Sequence, residues 1–332
     1  MKFIRIKILR VFPVFISLLM IVSISSGQTL KEATEAFNNG VSAKQENNLD
    51  EAIAYFNQCL EICSKLGTAD SLEAENIIIQ IESNLPKMYY QVAMDLYKDK
   101  KLDEAIEKFV ETSKVANKYD DQSTSQRAVK VVPQLYYQRA GNKYDNDDFK
   151  GALEDYNKAI ELKPEYDKAF YMKSLVCKKL DDEEGFLEST RKAIEFAGNN
   201  NNESVGSKAK ESGSKYFLMK GDEAKSAEKY AEAKKYINLA IEFDSESPVA
   251  YYLLSFVDNQ LNNYDNAIEA ANKALTYEND VPEEKARIYY ELANALKEKG
   301  ENGKACNAYK KAAYGAYKDA AEYQIKYVLE CE

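Results

Sequence analysis

A phrase of fourteen residues that returns along the chain restricts its fold more than any other feature. LDEAIAYFNQCLEI from Leu49, LDEAIEKFVETSKV from Leu102 and FKGALEDYNKAIEL from Phe149 superimpose without gaps. YAEAKKYINLAIEF from Tyr230, YDNAIEAANKALTY from Tyr264 and NGKACNAYKKAAYG from Asn302 keep the same register. In each, apolar residues recur at spacings of three, four and three, as in Phe149, Ala152, Tyr156 and Ala159. That spacing is one stripe of an α-helix. With 13 Gly and 6 Pro, the chain also lacks the punctuation that the many tight turns of an all-β fold require.

Upstream of each phrase a second helical pattern opens on an aromatic residue: Tyr89, Tyr136, Phe170, Phe217, Tyr251 and Tyr289. Four residues later comes Ala93, Ala140, Ser174, Gly221, Ser255 or Ala293, and twelve beyond that Ala105, Ala152, Phe186, Ala233, Ala267 or Ala305. Small residues at both places let two helices, A and B, cross at a short interaxial distance, while the aromatics fill the space toward the next pair.

In this order of aromatic and small residues the chain resembles the tetratricopeptide-repeat family, whose unit is 34 residues long. Ala152 to Phe186, Ala159 to Ala193 and Ala233 to Ala267 are each 34 residues apart. The unit from Pro133 to Pro164 matches best, and the fourth is degenerate, with Phe186 and Thr190 in place of a small and an aromatic residue. The resemblance implies an all-α fold, a right-handed superhelical solenoid of about seven helix pairs closed by a C-terminal capping helix. Extra residues precede the second, third and fifth units. Those at Asp70 to Leu85, with four Ile, read as helix, whereas NNNNESVGSKAKESG at Asn199 to Gly213 reads as a polar loop and the place for a hinge. The expected organisation is therefore residues 1–27 as a signal peptide, 28–198 as repeats one to four, 199–213 as the loop, 214–313 as repeats five to seven and 314–332 as the cap. The cap's stripe is Tyr317, Ala321, Ile325 and Val328.

The family binds partners on the concave face that its A helices form. The position after each A-helix aromatic points there: Phe37, Tyr90, Tyr137, Tyr171, Leu218, Tyr252 and Tyr290. These rings either pad neighbouring A helices or form a ladder of stacking contacts for a ligand. Lys87, Lys168, Lys215 and Arg287 lie three residues before them, and Lys44, Lys178, Lys225 and Lys297 seven after. Cations on the inner face of an acidic protein would favour an acidic or carboxylate-bearing peptide. The carboxylate clamp of one subgroup of the family is not carried over, because Phe37, Val41 and Tyr90 occupy positions where it needs polar side chains.

Residues 1–27 read as an export signal: Lys2, Arg5, Lys7 and Arg10, an apolar run of about fourteen residues from Val11, then Ser25, Ser26 and Gly27. The run is shorter than the roughly 20 residues of a spanning helix, so no integral anchor is expected after cleavage. An exported protein is expected, periplasmic or extracellular, of the bacterial envelope type. Loss of four basic residues would take the net charge from −10 to −14, which disfavours nucleic acid as a partner. Of five Cys, Cys59 and Cys177 read as core thiols, and Cys306 and Cys331 as the candidates for a disulfide. Cys59 and Cys63 share a helix face, yet two thiolates without any His make a poor metal site. No His, phosphate loop or nucleophile elbow points to catalysis, and no cofactor is implied. The sequence thus favours a non-catalytic scaffold for a protein or peptide; the alternative is a polysaccharide-binding module that uses the groove tyrosines. Oligomeric state is not legible.

Overall fold

The computed structural model describes residues 29–66 and 71–331; the signal-peptide expectation lies outside them. Among the described residues there is no strand, and no helix is long and apolar enough to cross a membrane. Seven A/B helix pairs follow one another: α1 (Leu30–Gln45) and α2 (Leu49–Cys63), α3 (Ser71–Lys98) and α4 (Leu102–Lys118), α5 (Gln122–Asp145) and α6 (Phe149–Leu162), α7 (Asp167–Lys179) and α8 (Glu183–Asn199), α9 (Glu203–Ser226) and α10 (Tyr230–Phe243), α11 (Pro248–Gln260) and α12 (Tyr264–Tyr277), α13 (Pro282–Glu298) and α14 (Asn302–Ala312). Six B helices begin at the first residue of the recurrent phrase. Contacts divide the chain into two compact units, Met1–Ala128 and Val129–Glu332.

One turn design explains why the phrase starts so sharply. Two residues before each B helix stands a residue in the left-handed region: Asn47, Lys100, Asp147, Asp181, Glu228, Asn262 or Gly300, with φ between 56° and 77°. The next N–H donates back to a carbonyl five residues earlier, as from Asn48 to Ala43, Asp182 to Cys177 and Glu301 to Leu296, at 2.9 Å in each of these. This is the Schellman closure, which satisfies the last carbonyls of helix A within three residues. Asn48, Asp148 and Asp182 then cap helix B through their side chains. Gly and Asn tolerate the left-handed region, whereas a long side chain there costs roughly 1–2 kcal/mol. Glu228→Gly relieves that strain and loses about 0.5–1 kcal/mol to the freedom of Gly in the unfolded chain. A net gain of about 0.5–1 kcal/mol is expected, read as a higher urea midpoint at unchanged slope.

The crossing residues are sealed. Ala93, Ala140, Ser174, Ser255 and Ala293 on the A helices, and Ala52, Ala105, Ala152, Ala233, Ala267 and Ala305 on the B helices, are fully buried. At Gly221 a Cβ would lie 2.8 Å from the Ile237 side chain, so this crossing has no room for Ala. Between α5 and α6 a polar clasp is added. Arg139 grips Asp155 through Nη2 at 2.6 Å and Nε at 2.8 Å, and Lys143 reaches the same carboxylate at 2.8 Å.

All three insertions lengthen an A helix at its N-terminal end: α3, α5 and α9 have 28, 24 and 24 residues. This bears out helix for the first insertion and corrects the polar loop at residues 199–213. Only residues 200–202 separate α8 from α9, with Asn201 left-handed and Asn202 at the N-cap. Val205, Ala209 and Gly213 lie buried at four-residue spacing. Gly213 is there for close approach, since a Cβ would stand 2.7 Å from the Phe243 ring. Pro86 and Pro133 mark where an ordinary A helix would begin, yet both sit inside helices, because the residues upstream also bury a stripe.

The cap is not one helix. Residues Gly315–Tyr317 form a 3-10 turn, Lys318–Tyr323 a short helix, α15, and Gln324–Val328 a π turn. The π turn shifts the buried stripe, so that Ala321, Ile325 and Leu329 meet the terminal core while Val328 is 46% exposed. Cys306 and Cys331 are disulfide-bonded across 25 residues, whereas Cys59, Cys63 and Cys177 are free and buried. Closing a loop of that length removes roughly 3 kcal/mol of freedom from the unfolded chain.

Candidate partner-binding site

The ring that follows each A-helix aromatic is half-buried in every repeat where it is aromatic: Phe37, Tyr90, Tyr137, Tyr171, Tyr252 and Tyr290. In four of the six its buried side meets an aromatic partner. Nineteen residues downstream lies the aromatic of helix B, and Phe37 meets Phe56, Tyr90 meets Phe109, Tyr137 meets Tyr156 and Tyr290 meets Tyr309 at ring-centre distances of 5.5–5.8 Å. The edge-on and tilted geometries are those aromatic pairs prefer. These rings therefore contribute to the repeat core and also keep a solvent-facing part.

The cations named with them divide into two groups. Lys87, Lys168 and Lys215 are exposed, and Lys215 pairs with Glu211 at 2.5 Å. Arg287 is half-buried, stacks its guanidinium 4.4 Å above the Tyr252 ring and forms an ion pair with Glu284. In the first unit Arg127 covers Tyr90 in the same way at 4.2 Å, a contact the sequence did not reveal because Arg127 lies in an insertion. Lys225 pairs with Asp222 at 2.6 Å, and Lys297 with Glu298 at 3.4 Å. Carboxylates thus accompany many of these cations on the A helices.

Repeats six and seven hold the most elaborate cluster. Tyr252 and Arg287 stand beside Tyr290, and deeper in, Glu291 is buried with 6% of its surface exposed. Asn259 donates from Nδ2 both to the Glu291 carboxylate and to the Glu291 carbonyl, each at 2.9 Å. Tyr309 donates its hydroxyl to Asn294 at 2.6 Å. Burial pushes the Glu291 carboxyl above its ordinary range, partly offset by hydrogen bonds from Asn259 and Asn294. An acid whose pKa is raised on folding is penalised when it ionises, so this residue makes the fold less stable as pH rises from the ordinary glutamate range through the raised value. Glu291→Gln keeps an acceptor for Asn259 and removes the charge. It is expected to raise the melting temperature at pH 7 and leave it unchanged near pH 3.5, as followed by circular dichroism. Pattern reading missed Glu291 because the equivalent position holds no carboxylate in the other repeats, being Asn38, Gln91, Gln138, Met172, Met219 and Leu253.

The tetratricopeptide repeat matches this chain at residues 30–66, 133–166, 214–247, 248–281 and 286–314, together about half its length. The chain belongs to the tetratricopeptide-repeat family. Repeats of this family are protein-interaction modules and are generally not catalytic. No curated protein matches the chain. Among solved structures it is similar to MamA, 20% identical over 60% of this chain and 97% of that one, with a TM-score of 0.33. YrrB, described as a TPR protein with an unusual peptide-binding site, is 18% identical over 54% of this chain and 83% of its own, with a TM-score of 0.32. The TPR2AB domain of yeast Sti1 in complex with pHSP90 is 17% identical over 88% and 94%, with a TM-score of 0.30.

Proposed function

We propose that this protein is a non-catalytic scaffold that holds a protein or peptide partner against the A-helix surfaces of its repeats. The observation that carries the reading is the series of half-buried rings at one helical position, four of them anchored on the aromatic of their own helix B and all six keeping part of their surface exposed. Rigid aromatic side chains that are already ordered before binding supply contact area at small entropic cost. Because carboxylates share this surface with the cations, the recognised feature is an apolar or aromatic side chain flanked by polar backbone, with acidic groups on the partner an added preference. The basic and apolar start of the sequence and the Cys306–Cys331 disulfide support an exported, oxidising location such as the bacterial periplasm.

A photoreactive phenylalanine placed at Tyr171, and separately at the exposed Lys158 on helix B, tests the site in cells. Adducts from position 171 that are absent from position 158, and absent again when Tyr137 and Tyr252 are both changed to Ala, are the expected result. Adducts from position 158 alone would move the site to the B helices. Thermal stabilisation by soluble glycans without any protein adduct would replace the scaffold with a carbohydrate-binding module.

A further inference from the structure

The C-terminal segment does more than close the array. It lies on the surface of repeats six and seven where the proposed function puts a partner. Tyr317 sets its ring 5.3 Å from that of Tyr290 and lies close enough to Tyr252 to help burial hold that phenol above its ordinary pKa. Gln324 accepts from Lys297 at 3.4 Å. Three groups named for binding, Tyr252, Tyr290 and Lys297, are thus engaged by one short stretch of the same chain.

That stretch is lightly built. Between Gly315 and Val328 only Ala321 is fully buried, and Tyr323 and Tyr327 are 57% and 62% exposed. A 3-10 turn, a six-residue helix and a π turn have little cooperative stability of their own. The disulfide is the strong fastening, and both of its cysteines are partly exposed to solvent.

We propose that residues 314–331 form a lid held by the Cys306–Cys331 disulfide, with Tyr317 in the place of a partner's aromatic side chain, and that reduction exposes this surface to an extended segment bearing an aromatic residue. The inference rests on the proposed function for the identity of the surface. In the opening step a dithiol reductant attacks one sulfur as thiolate and forms a mixed disulfide, which its second thiol resolves. Two electrons and two protons pass to Cys306 and Cys331, and the reductant leaves as a disulfide. While the disulfide is intact, Tyr317 competes from within the molecule at high effective concentration; opening lowers that concentration.

The test uses the full chain in three forms: oxidised, reduced with dithiothreitol, and as the Cys306→Ser/Cys331→Ser variant. Hydrogen exchange across residues 315–328 is expected to rise at least tenfold in the two opened forms, with α9 to α12 unchanged. A fluorescein-labelled peptide of the chain's own residues 312–323 is expected to bind the opened forms at least tenfold more tightly than the oxidised one, and its Tyr317→Ala version to lose that gain. Unchanged exchange after reduction would overturn the lid whatever binds elsewhere. Raised exchange without peptide binding would overturn the role of Tyr317 as a ligand mimic. Exchange needs no partner, so failure of the lid is distinguishable from failure of the scaffold reading.

Discussion

Phe186→Ala is expected to lower the unfolding free energy by about 3–5 kcal/mol, although it restores the residue that the repeat pattern prefers at this position. In most units the B helix carries Ala here and an aromatic four residues on, as with Ala105 and Phe109, Ala152 and Tyr156, or Ala305 and Tyr309. The fourth unit reverses the order, with Phe186 followed by Thr190, and both are fully buried. Phe186 packs with Cys177 of α7 and with Tyr216 and Phe217 of α9, at ring-centre distances of 4.4 and 5.8 Å. Thr190 turns its hydroxyl back to the Phe186 carbonyl at 2.7 Å and leaves no unpaired polar atom. The bulk has moved one turn along the helix, so Ala at 186 opens a cavity that nothing at 190 can fill. Urea unfolding should show a lower midpoint at unchanged slope. A gain in stability would mean that α7 and α8 pack like an ordinary unit.

The opposite change at the equivalent residue of the preceding unit, Ala152→Phe, is expected to cost about 1–3 kcal/mol. Ala152 and Ala140 are both fully buried where α6 crosses α5, and Tyr156 occupies the neighbouring space. A ring at 152 must push the helices apart or leave its preferred rotamer, and separation would strain the Arg139 and Lys143 clasp on Asp155. Lys158→Phe on the solvent side of the same helix, where the side chain is 56% exposed, serves as the control, with an expected change within about 0.5 kcal/mol. Equal stability of the two variants would count against the register of the repeat. The same volume of side chain is thus required at 186 and excluded at 152, at positions the repeat treats as one.

Both expectations depend on how much of the molecule was legible in its residues. The stripe of Phe149, Ala152, Tyr156 and Ala159 identified helix B and its first residue, because a helix start is a local event decided by the turn before it. The small residues at 93, 140, 255 and 293 identified the crossing points, since a short interaxial distance leaves little choice of side chain. The same local logic makes NNNNESVGSKAKESG a loop, whereas most of it is the first half of α9. Gly206 and Gly213 weaken a helix in isolation, but burial of Val205, Ala209 and the surface around Gly213 outweighs that loss once Phe243 is beside them.

The candidate site divides along the same line. Tyr90, Tyr137, Tyr171, Tyr252 and Tyr290 could be named because they recur at one position of a periodic helix. Which cation would cover which ring could not, because Arg287 and Tyr252 come from successive A helices and Arg127 from an insertion with no counterpart. Nor could the buried Glu291 or the fold-back of Tyr317, which arise where helices from different repeats meet. The residues by themselves determined the period, the helix pairs and the turn that joins them, since each follows from contacts within about 34 residues. Only the tertiary structure decided which helices lengthen, where bulk must replace a small residue, and which polar groups lose water, because those depend on neighbours that no single repeat contains.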